Sequence, residues 1–407
     1  VLAASIFMLD GSRSRSWKHF ALAGMMAGCF VGTKYFGVFF AASLGLVLLL
    51  SIRRIGPALV FSVFVILFGG EWYLWNFIHT GDPMFPRLYT IIGVPDGVYW
   101  TADFSKSFAD HYSASEKILE TSPVNWLLYP VYATFYGLPE LESTRTGFGV
   151  LIPLVLPLAG WWMFRFRVWE DNRSLLLAVA GVFFTLWFFS GTTHRARHLV
   201  PVFPLLLVST FLFAHEAARH LKLYRSFWIT VTIALAIQIV GQVIFTVNYA
   251  RYAFTGETRE AFFERNIAGA NAVDWINRNL PPGSKVAYFN RELGYILDPP
   301  SFFMTAYYQM QVEWRPEKVK PRQFISQVQK EGITHFILKP PEQKNGGKGP
   351  LLGNFITLQN LEKASCLKRL RVFDTVAIPS RTFAALGEAG AMEQMALFRL
   401  HAQNCPN

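Results

Sequence analysis

The densest group of anion-binding side chains lies in Gly191-Thr-Thr-His194-Arg195-Ala-Arg197-His198-Leu-Val-Pro201-Val-Phe-Pro204. Two guanidiniums and two imidazoles suit phosphate or carboxylate, which they bind through charge-assisted hydrogen bonds. Apolar runs flank the group on both sides, at 174–190 and 199–214. Cations at such a position are costly unless they face water, lipid phosphate or an anionic ligand. One reading is a clamp for a phosphate-bearing lipid substrate. The other is ordinary anchoring at lipid headgroups. Lys34, in Gly32-Thr33-Lys34-Tyr35, adds a cation at a turn between two further apolar runs. It could meet the same phosphate or simply snorkel to the interface. Glu71 lies inside the apolar run 57–78. A carboxylate there costs about 2–3 kcal/mol and is expected to face a bundle interior or cavity, ordering the site or pairing with an Arg.

Other chemistry has weaker support. The loop 79–146 carries Asp82, Asp96, Asp103, Asp110, Glu116, Glu140 and Glu142. Each could be a base or a metal ligand, and solvated surface charge is the alternative. No Ser-His-Asp arrangement stands out, and there is no Cys-x-x-Cys or His-Glu-x-x-His motif. No cofactor is identified, and a divalent metal is compatible with the carboxylates. The glycines of Lys344-Asn-Gly-Gly-Lys-Gly-Pro350 lack the strand-turn-helix frame of a phosphate loop. Cys29 falls in an apolar run, whereas Cys366 and Cys405 could pair outside the cytoplasm.

The elements that must position these residues are helices. Apolar runs occur near 20–33, 36–51, 57–78, 147–164, 174–190, 199–214 and 227–249, with a further stub at 1–9. They predict about seven membrane spans and a partial one, the first two shorter than the usual ~20 residues. One set of short connections holds Arg13, Arg15, Lys18, Arg53, Arg54, Arg165, Arg167, Arg173, Arg219, Lys222 and Arg225. The opposite short connections hold only Lys34, Arg195 and Arg197. The positive-inside rule therefore puts the first set in the cytoplasm, and the 191–198 tip, loop 79–146 and the tail outside. In that loop, Ser113-Ala-Ser-Glu116 has capping-box spacing. Ser122-Pro123 predicts the start of a helix, with Gly137 just past its end. The Trp and Tyr of 125–136 suit a helix at the membrane–water interface, and packing on the bundle is the alternative.

After about 255, charges return and the long apolar runs stop. Helices are expected at 262–280 and 322–331, and strands at 285–289, 333–338, 371–376 and 396–400. The expected architecture is a polytopic α-helical membrane bundle over 1–250 with an extracytoplasmic α/β domain over 251–407. The 407 residues are 52% hydrophobic with mean hydropathy +0.28, which fits a membrane part joined to a soluble part. The net charge of +11 follows from membrane topology rather than from nucleic-acid binding. The chain opens on Val-Leu-Ala-Ala-Ser-Ile-Phe-Met-Leu, with no initiator Met and no charged leader, so an upstream portion is expected.

Several stretches together resemble a known family. These are Gly28 to Tyr35, Trp72 to Asn76 with Gly81-Asp-Pro-Met-Phe-Pro86, Arg197 to Pro204, Ala272 to Gly283, and Gly332-Ile-Thr-His335. In this order they resemble bacterial membrane glycosyltransferases of the GT-C class, the group of the protein O-mannosyltransferases and the lipid A aminoarabinose transferase. The resemblance covers nearly the whole chain. It implies a polyprenyl-phosphate-linked sugar as donor, and a lipid, glycan or protein acceptor. It also implies transfer at the outer face of a multi-pass inner-membrane protein. Lys34, Arg195, Arg197 and His198 would hold the donor phosphate, with Glu71 beside them. The family's essential Asp, the expected base, lies in a first outer loop that would precede Val1. The family often has Tyr where this chain has His198. The alternatives are a lipid or polysaccharide transporter, which should show repeats and interrupted helices in paired positions, and a non-catalytic scaffold. No repeat stands out.

Overall fold

The computed structural model describes residues 1–97, 100–116, 119–136, 141, 149–168, 171–191, 193–305, 309–313, 321–338, 361, 366–376 and 392–401. The chain is mostly helical, with a small sheet near its C-terminus. It separates into two compact units, Val1–Asp96 with Thr101–Gln238, and Gly97–Trp100 with Ile239–Asn407.

The first unit contains α1 (Leu2–Ser14), α2 (Trp17–Thr33), α3 (Phe36–Ile52), α4 (Ile55–Gly69), α5 (Glu71–Thr80), α6 (Ala102–Glu116), α7 (Pro123–Phe135), α8 (Leu151–Phe166), α9 (Asn172–Phe189) and α10 (Phe203–His220). The division between the units falls within α11 (Tyr224–Phe254). Every apolar run coincides with a helix, with two departures. The run 57–78 is not straight, because α4 and α5 meet at a 57° bend. The run 199–214 begins with a 3-10 turn, Ala196–Leu199, and its helix starts only at Phe203, with Pro204 in the first turn.

Among the described residues, two helices are long and apolar enough to cross a membrane, α9 and Tyr224–Ile244 of α11. The bent pair α4–α5 makes a third if it counts as one span. That is fewer than the seven expected. The shortfall comes from length and from polar ends: α2 and α3 have 17 residues each, α8 has 16, and α10 carries Glu216, Arg219 and His220 in its last turns.

Helix α2 lies directly against α4. Gly24 and Gly28 make this possible. A Cβ on Gly24 would stand 2.3 Å from the Phe61 carbonyl oxygen, and one on Gly28 2.8 Å from that of Val65. Four-residue spacing of glycines lets two helix backbones approach closely. Around this pair, Phe20, Phe40, Phe61, Phe183, Trp187 and Leu205 close a core drawn from α2, α3, α4, α9 and α10.

The capping-box stretch 113–116 ends α6 instead of starting a helix. Ser122 does cap α7, its Oγ accepting from the Asn125 N–H at 3.2 Å. One face of α7 packs into the bundle through Tyr129 and Ala133, both fully buried. Val124, Leu127 and Phe135 stay exposed. Gly137, Glu140 and Glu142 lie outside the described residues.

The second unit holds α12 (Arg259–Asn266), α13 (Ala270–Asn279) and α14 (Pro321–Lys330), with β1 (Val286–Tyr288), β2 (Ser301–Phe303), β3 (His335–Leu338), β4 (Leu367–Val376) and β5 (Met392–Leu400). The helix expected over 262–280 is broken at 267–269 into α12 and α13. The strand order is β2-β1-β3-β5-β4. Strands β2, β1 and β3 run parallel, while β5 is antiparallel to β3 and β4. Because strand side chains alternate, the sheet feeds two cores. Val286, Ile337 and Leu397 pack with Val273 and Ile276 of α13. Ala287, Phe336 and Phe398 pack with Phe324 and Val328 of α14. Cys366 is disulfide-bonded and Cys29 is free. Cys405 and the stretch 344–350 lie outside the described residues.

Candidate functional site

The turn between α2 and α3 is the first component. Lys34 ends α2 in an extended conformation, its N–H donating to the Phe30 carbonyl at 3.2 Å. Gly37 then lies so close to α2 that a Cβ would stand 2.4 Å from the Phe30 carbonyl oxygen. Only glycine lets α3 start there, and this close turn fixes where Lys34 and Tyr35 project.

Tyr35 ties the turn to the segment after α5. Its hydroxyl donates to the Phe85 carbonyl at 2.7 Å and accepts from Asn76 Nδ2 at 3.2 Å. Asn76 is buried and its Nδ2 also reaches the Pro83 carbonyl at 3.4 Å. Burial, and then the nearby Asp82 charge, push the Tyr35 phenol above its ordinary pKa, so it stays a donor. Asp82 is fully buried and shapes the 81–88 segment. Its Oδ1 accepts from Met84 N–H at 2.7 Å and its Oδ2 from Leu88 N–H at 2.9 Å. Both oxygens are thus engaged by backbone, the pattern of a turn-forming aspartate. Asp96 acts similarly, accepting from Ala102 N–H at the start of α6.

The 191–204 stretch is the second component, and its four basic residues divide. His194 is a core residue, fully buried and stacked on Phe188 at 4.8 Å. Its carbonyl accepts from Tyr129 Oη at 2.7 Å, and its Nδ1 from Leu119 N–H at 3.3 Å. Arg195 is half-buried and Arg197 is exposed. His198 is buried in the 3-10 turn, against the Phe36 ring at 4.6 Å.

The two components meet at Lys34 and His198. Lys34 Nζ stands 3.1 Å from His198 Nδ1 and 5.6 Å from the centre of the Phe36 ring. Burial, and then the charges of Lys34, Arg197 and Arg195, push His198 down to about 3. The imidazole is therefore neutral at physiological pH. Nδ1 accepts from the ammonium, so the ring proton sits on Nε2. Nε2 has no hydrogen-bond partner among the described residues. The cluster combines three cationic side chains with one neutral N–H donor, a set that suits a phosphate.

Of the residues expected from the sequence, Lys34 and His198 are in contact, and Arg195 and Arg197 are near enough for their charges to act on His198. Glu71 does not join them. It is exposed at the first position of α5. The expectation of an inward-facing Glu71 assumed a straight helix over 57–78. The bend after Gly69 turns Glu71 outward, and the positive end of the α5 dipole favours its charge there. Sequence reasoning missed Tyr35, Phe36 and Asn76, although Asn76 closes the Trp72–Asn76 stretch. No protein-family model matches the chain, and no curated protein matches it at a significant level.

Proposed function

We propose that the protein is a multi-pass membrane glycosyltransferase of the GT-C type. It would take a sugar from a polyprenyl-phosphate donor at the outer face of the cytoplasmic membrane. The observation that carries this reading is the contact of Lys34 with His198, with Arg195 and Arg197 near enough for their charges to act on His198. The cations would hold the donor phosphate, and His198 Nε2–H would donate to one of its oxygens. As the sugar leaves, charge builds on that phosphate, and fixed donors stabilise it. Asp82 is fully buried with both oxygens accepting from backbone amides, so its visible role is to shape the 81–88 segment.

Three features support the membrane setting. Leu59, Val63, Ile66 and Leu67 of α4, and Ile229, Ile233, Ile237 and Val240 of α11, are exposed along helix faces where a water-facing helix would be polar. The glycine contact of α2 with α4 is of the kind membrane helices use. Helices α2 and α3, with 17 residues each, are about 25 Å long, within reach of the hydrocarbon layer when their ends are polar. Two adjoining apolar cavities of about 450 and 490 Å³ share Val31, Val38, Val65 and Ile66 along α3 and α4. They offer a lining for a long prenyl chain. The second ends at Tyr73 and Pro83, and the Tyr73 ring is 5.8 Å from Tyr35.

The 57° break between α4 and α5 favours a second reading, a lipid transporter, since such proteins use interrupted helices. Incubating the full-length protein in nanodiscs with polyprenyl-phosphate-linked hexose or pentose and an envelope extract that supplies lipid, glycan and protein acceptors separates the two. Release of polyprenyl phosphate with transfer of sugar is expected. Movement of the intact donor between leaflets without cleavage would sink the enzyme reading.

A further inference from the structure

The donor-site reading leaves unused a cavity of about 820 Å³ at the other ends of α2 and α3. It is enclosed by the last residues of α1 and α3 and the first residues of α2, α4 and α9. Its lining carries four guanidiniums, Arg13, Arg15, Arg53 and Arg54, and no carboxylate among the described residues. With the Asn172 amide oxygen turned toward it, Arg13 Nε donates to that oxygen at 2.9 Å. Arg15, Arg53 and Arg54 make no ion pair among the described residues. The nearby Asp171 is already held by Arg173 at 2.6 Å.

The make-up of the lining argues for more than scattered surface charge. Alongside the guanidiniums the lining has an apolar part, with Phe20, Val47 and Pro57 buried and Leu175 half-buried. A polar metabolite would gain nothing from those side chains, whereas an amphiphile would cover them. The positive-inside rule explains arginine on this side. It does not explain four arginines around one half-apolar cavity.

We infer that this cavity binds the phosphate headgroup of an anionic lipid from the leaflet it faces, with the first part of the chain against the apolar part of the lining. The inference rests on α2, α3 and α9 being membrane helices. It does not depend on sugar transfer, so its failure would leave the donor site untouched.

The test is titration calorimetry on the protein in maltoside micelles with dioctanoyl phosphatidic acid, dioctanoyl phosphatidylcholine and inorganic phosphate. Phosphatidic acid should bind about tenfold more tightly than either of the others. Arg53→Gln with Arg54→Gln should weaken its binding about tenfold, while Lys222→Gln with Arg225→Gln, both exposed, one just before α11 and one in its first turn, should change it less than about twofold. Ala178→Phe narrows the cavity and keeps every guanidinium. It should weaken lipid binding and leave phosphate binding unchanged. Thermal melts check folding, and Arg53→Lys with Arg54→Lys should restore part of the affinity. Equal losses in the two Gln pairs would reduce the effect to bulk charge and overturn the site. Phosphate binding as tightly as the lipid, or an inert Ala178→Phe, would overturn the lipid as occupant.

Discussion

Replacing Lys34 with Met keeps the length of the side chain and removes its charge, and the change should be legible in His198. The ammonium stands 3.1 Å from His198 Nδ1. Two unit charges at that distance repel by about 1–5 kcal/mol for effective dielectrics of about 80 to 20, equivalent to roughly 1–4 pKa units. Lys34 is the second cause of the His198 depression, after burial. Lys34→Met should therefore raise His198 from about 3 by one unit or more, and burial with Arg195 and Arg197 should keep it below the usual ~6.5. The sign for stability follows. Between about pH 6.5 and 3 the unfolded chain takes up a proton that the native ring refuses, so acidification destabilises the wild type, and the variant should lose less. Ring-nitrogen NMR of histidine-labelled protein, assigned with His198→Gln, measures the titration directly. An unchanged midpoint in Lys34→Met would refute the coupling.

Other changes test the frame around the site. Gly24→Ala forces a Cβ to 2.3 Å from the Phe61 carbonyl and should cost about 1–3 kcal/mol, whereas Gly32→Ala, with its nearest atom at 3.6 Å, should be close to neutral in the same thermal melts. Asp82→Ala strands the Met84 and Leu88 amides and should cost roughly 2–4 kcal/mol, while Asp82→Asn should fold and retain transfer. Loss of transfer with an intact fold in Asp82→Asn would make Asp82 a chemical participant after all. An alkaline phosphatase reporter inserted after Thr255 should be active, as the Lys and Arg distribution predicts for an exported tail. A reporter that works only in the cytoplasm, if active there, would reverse the orientation.

The helices were legible because each apolar run is long and bounded by charge or turn residues. What failed did so for local reasons. Nothing in 57–78 except the pair Gly69-Gly70 announces the bend that turns Glu71 outward. The Ser113–Glu116 spacing marks a helix end here, since a four-residue motif carries no direction of its own. Strand β2 has three residues and follows Pro299-Pro300, too short to show alternation. Strand β4 runs longer than expected because it is an edge strand, where the exposed run Lys368 to Val372 hides any alternation. The cationic tip was visible as composition. Its division was not, because only packing distinguishes His194, a core ring, from His198, which Lys34 reaches from 164 residues away.

The central claim is that Lys34, Arg195 and Arg197 hold a lipid phosphate. The most direct measurement is the affinity of a polyprenyl monophosphate for the protein in nanodiscs of zwitterionic lipid. The wild type is compared with Arg195→Ala/Arg197→Ala, with Lys34→Met, and with the Lys222→Ala/Arg225→Ala control. Loss of about tenfold or more in the first two, with the control unchanged, is the predicted result, as expected for charge-assisted contacts to phosphate. Affinities equal to the wild type in Arg195→Ala/Arg197→Ala and in Lys34→Met would contradict the account and leave these cations as headgroup anchors.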